Sequence, residues 1–321
     1  MSETPAEAQD MADRALRAWG GAGAARLVTR RENTVFQVDL PQGRAALRLH
    51  RRGYQSAAGI AAELQFMTHL TRAGVPVPQP IARPDGSWLY EEGGRHISCV
   101  SWLEGVALGR ADTPLPQSIP VQAAQMQTLG ALAARMHAAS DGLMLNRPQW
   151  NAEGLLGAEP LWGRFWEHPG FSAPERGQIL AARAAAMARL ATVADYGPIH
   201  ADLLRENILV RPEGLALIDF DDGGMGYRLY DLGTALVQGL EEPGLTARAG
   251  ALLAGYTAAR GAAQPAPTLQ DLTFFVMLRC FASVGWIASR AEQDDPRQLL
   301  YTRRAVRLAG HFLDGSAVGG L

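Results

Sequence analysis

Apolar residues follow two different spacings along this chain, and the texture changes near residue 105. Residues 5–19 carry helical spacing, which Gly20, Gly21 and Gly23 then interrupt. Two short β-rich segments, Thr34–Leu40 and 45–50, are joined by the turn residues Pro41, Gln42 and Gly43. Ile60, Leu64, Met67 and Leu70 step by three or four and predict a helix over 60–71. Gly74 and the prolines Pro76, Pro78 and Pro80 end it and impose an extended segment. Strands are expected again at 88–91 and 95–102, so this region reads β-β-α-β-β. Past Gly105 the pattern is helical, with helices predicted at 121–140, 175–194, Leu245–Arg260, 269–288 and 297–313. One β-hairpin interrupts them, with strands at 208–210 and 215–220 around the turn Arg211-Pro212-Glu213-Gly214.

A chain of 321 residues is longer than one hydrophobic core usually serves, so two domains are expected, 1–104 and 105–321. With 47% apolar and 19% charged residues the chain can bury a core, which excludes a largely disordered protein. A formal net charge of −2 supplies no field to hold nucleic acid or an anionic membrane, and neither partner is expected. All 30 basic residues are arginine; the chain has no lysine. Cys99 and Cys280 lie far apart in sequence and read as buried thiols. The polar N-terminus lacks the apolar run of a secretory signal, and the expected location is the cytoplasm.

Chemistry concentrates in residues 199–232, IHADLLRENILVRPEGLALIDFDDGGMGYRLYDL. Asp202 and Asn207 precede the hairpin and Asp219 follows its apolar second strand. A hairpin brings its ends together, so two carboxylates and one amide oxygen are expected to converge. A hard dication such as Mg²⁺ takes oxygen ligands of this kind, completed by water and phosphates. A carboxylate beside it can orient a hydroxyl nucleophile and accept its proton.

The pattern HxDxxxxN, then hydrophobic-hydrophobic-D-F-D, resembles the catalytic and metal loops of the protein-kinase-like fold. HADLLRENILV and LIDFDDGGMGYRLYDLGTAL resemble the aminoglycoside phosphotransferase and choline kinase family, nearest its type II homoserine kinase and stress-response kinase branch. RLHRRGYQS (48–56), GVPVPQP, LGALAARMHAAS (129–140) and residues 147–166 extend the resemblance over nearly the whole chain. It implies an α+β, bilobal fold: a small β-rich N-terminal lobe with one main helix, and a larger helical lobe carrying the catalytic hairpin. It also implies ATP and Mg²⁺, with the γ-phosphoryl group passing to a hydroxyl of a small molecule such as an amino alcohol, amino acid or aminoglycoside.

The same resemblance implies that Asp202 is the catalytic base or hydroxyl-orienting residue and that Asn207 and Asp219 hold Mg²⁺. His200 braces the catalytic loop, and Asp231 hydrogen-bonds that loop's backbone. Glu63 pairs with the basic residue of the second strand, and the backbone of Ser101, Trp102, Leu103 and Glu104 binds adenine. A turn of Glu32, Asn33, Thr34 and Val35 replaces a glycine-rich flap. The departure is Arg48, where the kinase pattern has lysine. An arginine keeps the charge and clamps phosphate bidentately, though it is longer and planar. Two alternatives follow: a Ser/Thr protein kinase, with segment 105–120 accepting a peptide, and a nucleotide-binding protein without turnover.

Other residues have plainer readings. Asp219-Phe220-Asp221-Asp222 also resembles the opening motif of haloacid-dehalogenase phosphatases, which normally require a lysine this chain lacks. Gly223 stands where an EF-hand needs an oxygen ligand, and Gly20–Gly23 lacks the Lys-Ser/Thr of a phosphate loop. His137 is expected in the core, and His50 either toward nucleotide or toward solvent. Trp150, Trp162 and Trp166 either pack or form a cage for an amine. Asp221 and Asp222 support the metal or meet an amine substrate.

Overall fold

The computed structural model describes residues 4–30, 33–261, 266–292 and 294–316. Glu32 of the expected turn lies outside the described residues. The chain divides into two compact units: Met1–Gly105 together with Ala216–Asp221, and Val106–Leu215 together with Asp222–Leu321.

The first unit opens on α1 (Pro5–Ala18). The Thr4 hydroxyl accepts from the Glu7 N–H, the Glu7 carboxylate accepts from the Thr4 N–H, and Pro5 sits where no N–H is needed. Then come β1 (Arg26–Arg30), β2 (Thr34–Leu40), β3 (Gly43–Leu49), α2 (Ala57–Arg72), β4 (Leu89–Glu92) and β5 (Arg95–Ser101). The strands form an antiparallel sheet in the order β1-β2-β3-β5-β4. Met11, Ala15 and Leu16 of α1 share one buried cluster with Phe36, Leu47 and Cys99 of the sheet. Each of the larger of these, Met11, Leu16, Phe36 and Leu47, contributes about 1.5–3 kcal/mol by leaving water. Strand β1 was not expected from the sequence, because four of its five residues are exposed and it lacks an apolar alternation. On α2, Ile60, Leu64, Met67 and Leu70 are buried as their spacing predicts, and Glu63 is buried with them.

The second unit contains β6 (Val106–Ala107), α3 (Ile119–Ala139), β7 (Gln149–Trp150), α4 (Ala152–Leu156), α5 (Ala173–Leu190), β8 (Tyr196–Ile199) and β9 (Ile208–Arg211). Strand β10 (Gly214–Leu217) completes the hairpin, and β11 (Gly224–Tyr227), α6 (Leu229–Val237), α7 (Leu245–Arg260), α8 (Leu269–Arg290) and α9 (Arg297–Asp314) follow. Strand β6 pairs with β9, and β11 lies between β7 and β8. Helices α3 and α7 approach until backbones touch: a Cβ at Gly130 would overlap the Leu252 carbonyl, and one at Gly255 the Gln127 carbonyl. By length and composition α8 is apolar enough to cross a membrane, yet 78% of its most apolar stretch is buried within the protein, as in a core helix. Strand β10 stops at Leu217 rather than 220, because Asp219 takes a left-handed φ of 65° that an extended strand cannot contain.

Candidate active site

In the second unit, residues 200–207 link β8 to β9, and a buried carboxylate fixes their start. His200 donates its backbone N–H to Asp231 Oδ2 (2.9 Å) and Ala201 donates to Oδ1 (2.7 Å). Ala201 has a φ of 65°, a strained conformation for a residue with a Cβ, and these two bonds help to hold it. His137 Nε2 lies 3.0 Å from Asp231 Oδ2, and its Nδ1 lies 3.0 Å from the Tyr256 hydroxyl. Burial lowers the His137 pKa despite the pull of Asp231, so the ring is a satisfied neutral core group. His200 is fully buried, and its Nδ1 accepts from the Asp202 N–H at 3.3 Å.

Both oxygens of Asp202 are held. Arg279 Nη2 donates to Oδ1 at 2.9 Å, and Asn207 Nδ2 donates to Oδ2 at 2.8 Å and to the Asp202 carbonyl at 2.9 Å. With its nitrogen so engaged, Asn207 keeps Oδ1 as the atom suited to a cation. Arg205, inside the same loop, anchors it through two 2.7 Å bonds to Glu242.

The first unit gathers a second set around Arg48. Nη1 donates to Glu63 Oε1 at 2.6 Å, Nη2 donates to Asp219 Oδ1 at 3.1 Å, and Asp221 Oδ1 lies 3.8 Å away. Burial alone would lower the Arg48 pKa, but Glu63, Asp219 and Asp221 outweigh it and raise the value above the ordinary one. The charge at position 48 is therefore retained and paired. Gln55 Nε2 donates to Asp221 Oδ1 at 2.9 Å, which gives that acid a supporting contact.

Other expected nucleotide contacts are already committed. Asn33 Oδ1 accepts from the Arg51 N–H at 2.9 Å, and Thr34 Oγ1 accepts from Arg95 Nη2 at 3.2 Å. Ser101 donates its N–H to the Gln79 carbonyl (2.8 Å) and Trp102 to the Arg44 carbonyl (3.0 Å). The Glu104 side chain lies 2.7 Å from Arg44. His50 does not face solvent: it is buried against Ser98 Oγ at 2.7 Å, and burial with the nearby Arg48 charge pushes its pKa down to about 3.

Among the described residues, no group of three or more His, Cys, Asp or Glu side chains is placed to hold a metal. The Asn207 amide oxygen, in the second unit, and the Asp219 carboxylate, in the first, are each hard oxygens of the kind Mg²⁺ takes.

The tryptophans pack. Trp150 stacks on Tyr230 (5.4 Å), meets Trp162 edge-on (4.9 Å) and donates Nε1–H to the Asp222 carbonyl at 2.9 Å. The cations on Trp162 and Trp166 are the protein's own: Arg279 lies 4.6 Å from the Trp162 ring and Arg183 lies 4.0 Å from the Trp166 ring. Arg279 is the residue that sequence reasoning missed. Its signal was a lone charge in the apolar run of α8, LTFFVMLRCFASVGW, where a buried arginine demands a partner.

A family model described as the phosphotransferase enzyme family matches residues 24–267. The chain belongs to the phosphotransferase enzyme family. It is 31% identical over 245 residues to a homoserine kinase of Polaromonas naphthalenivorans strain CJ2, covering 71% of this chain and 70% of that one. The structure of a microcompartment-associated aminopropanol kinase superposes with a TM-score of 0.79 at 27% identity, over 95% of this chain and 98% of the other. An amicoumacin kinase, solved in complex with AMP-PNP, Ca²⁺ and Ami, matches with a TM-score of 0.68 at 18% identity, over 91% of this chain and 88% of the other, and speaks to the fold alone. The phosphotransferase thus has the α+β, protein-kinase-like fold, acts as a small-molecule kinase, and takes an alcohol group as acceptor.

Proposed function

We propose that this phosphotransferase moves the γ-phosphoryl group of ATP to a hydroxyl of a small amino alcohol or hydroxy amino acid in the cytoplasm. What carries this reading is the carboxylate of Asp202, held at both oxygens on a loop that Asp231 fixes. Such a group orients an acceptor hydroxyl and takes its proton as the new O–P bond forms and ADP leaves. Mg²⁺ on Asn207 Oδ1 and Asp219 would neutralise the phosphate charge. Arg48, already aligned by Glu63, would grip phosphate oxygens in place of lysine, and its intact pairing supports turnover over a binding-only role. The acceptor classes come from the homoserine and aminopropanol kinases to which the chain is similar.

The test is ADP release with Mg-ATP and L-homoserine, 1-amino-2-propanol, ethanolamine or choline. At least one should accelerate turnover, and Asp202→Ala should lower kcat by about 10³-fold or more while the circular dichroism stays unchanged. Turnover that survives this change would overturn the role of Asp202.

A further inference from the structure

We propose that Arg279 is the positioning residue of the acceptor side, fixing the plane of the Asp202 carboxylate; this rests on the reading of Asp202 given above. Asn207 secures one oxygen of that carboxylate and Arg279 secures the other, at 2.8 and 2.9 Å. Donors on both oxygens stop the group turning about its last side-chain bond. The guanidinium is itself immobilised. It lies 4.6 Å from the Trp162 ring, with Nη1 3.4 Å from Ser283 Oγ one turn further along α8. Trp162 is held edge-on by Trp150, which is stacked on Tyr230 and tied to the Asp222 carbonyl. A line of rigid aromatic contacts therefore ends on the carboxylate.

Packing alone does not account for a guanidinium here. Arg279 is only 5% exposed, and removing an ion from water costs several kcal/mol. An apolar side chain would cover Trp162 without that cost. What the guanidinium adds is a directed, charged donor aimed at Asp202, and planarity matters as much as charge. Lysine offers the charge without the stacking plane or the fixed angle.

The experiment compares the intact parent chain with Arg279→Lys, Arg279→Ala, Trp162→Leu and Asp202→Ala. ADP release is followed with Mg-ATP and each of L-homoserine, 1-amino-2-propanol, ethanolamine, choline and water as acceptor. Arg279→Lys should lower kcat about 100-fold, the order expected when a reacting group is misplaced by about 1 Å, with the KM for ATP unchanged. Arg279→Ala should regain part of its kcat when guanidinium ion is added at non-denaturing concentration, which a loss of packing alone would not allow. Should Arg279→Lys fail to fold, Trp162→Leu keeps the ion pair but removes its support, and should lower kcat several-fold. Parental kcat in either folded variant, or no rescue of Arg279→Ala, overturns the assignment. Parental turnover in Asp202→Ala, or no turnover of the parent with any acceptor, overturns the underlying reading instead. An inactive Asp202→Ala beside a fully active Arg279→Lys overturns the role of Arg279 alone.

Discussion

Position 48 shows what one side chain can decide. Glu63 is buried on α2, and an unpaired carboxylate there would cost several kcal/mol or give up its charge. Arg48 meets it through one nitrogen and Asp219 through another, a division that a lysine ammonium with its single centre matches less well. Arg48→Met should therefore lower stability by about 3–5 kcal/mol, the cost of leaving a buried charge unpaired. Arg48→Lys, which keeps the charge and one hydrogen bond, should lose only about 1 kcal/mol. Urea unfolding of the two variants measures the difference, and equal midpoints would mean that the pair contributes little to the fold. The same residue was legible in the sequence as a substituted lysine. Its bond to Asp219 was not, because 171 positions separate the partners and only the folded chain joins them.

Among the elements, the contact of α3 with α7 depends on glycine. An exposed helix gains about 1 kcal/mol when Gly becomes Ala. At Gly255 the added methyl would meet the Gln127 carbonyl, and backbone cannot step aside as a side-chain tip can. Gly255→Ala should thus cost about 1–3 kcal/mol by overpacking. Gly250→Ala on the same helix, with nothing within 4 Å of the new methyl, should be neutral or stabilising by up to about 1 kcal/mol. Thermal melts of the pair give opposite signs if the close approach is real, and the same sign if it is not. Neither role shows in the apolar spacing that located both helices. That spacing finds elements with one wet face and one dry face, such as α2, and passes over elements lacking the contrast. Helix α6 is buried at eight of nine positions and β11 at all four, so no period marks them. The contact of Asp202 with Asn207 and the bonds of Asp231 to the loop backbone were legible because their spacing is local to one hairpin and its flanks. Arg279 entered from a helix 77 positions away.

At the scale of the whole molecule, the boundary near residue 105 is only part of the division, because Ala216–Asp221 belongs to the first unit. This short return brings specific contacts. Leu217 donates its N–H to the Pro76 carbonyl at 3.0 Å, Phe220 meets Phe66 edge-on at 5.8 Å, and Asp219 pairs with Arg48. Phe220 is 1% exposed, so these residues are core and not a surface strap. A fragment ending at Gly105 would leave Phe66 facing water and Arg48 short of two carboxylates, Asp219 and Asp221. Expressed alone, residues 1–105 should lack a cooperative thermal transition and the dispersed amide spectrum of a packed sheet, while the full chain shows both. In the full chain, Phe220→Ala should cost about 3–5 kcal/mol, as expected for a large side chain removed from a core. A fragment that melts cooperatively at the temperature of the full chain would show that 216–221 is accessory to the unit. The expected failure would instead mean that the residue proposed to hold Mg²⁺, Asp219, sits on a segment without which its own unit does not fold.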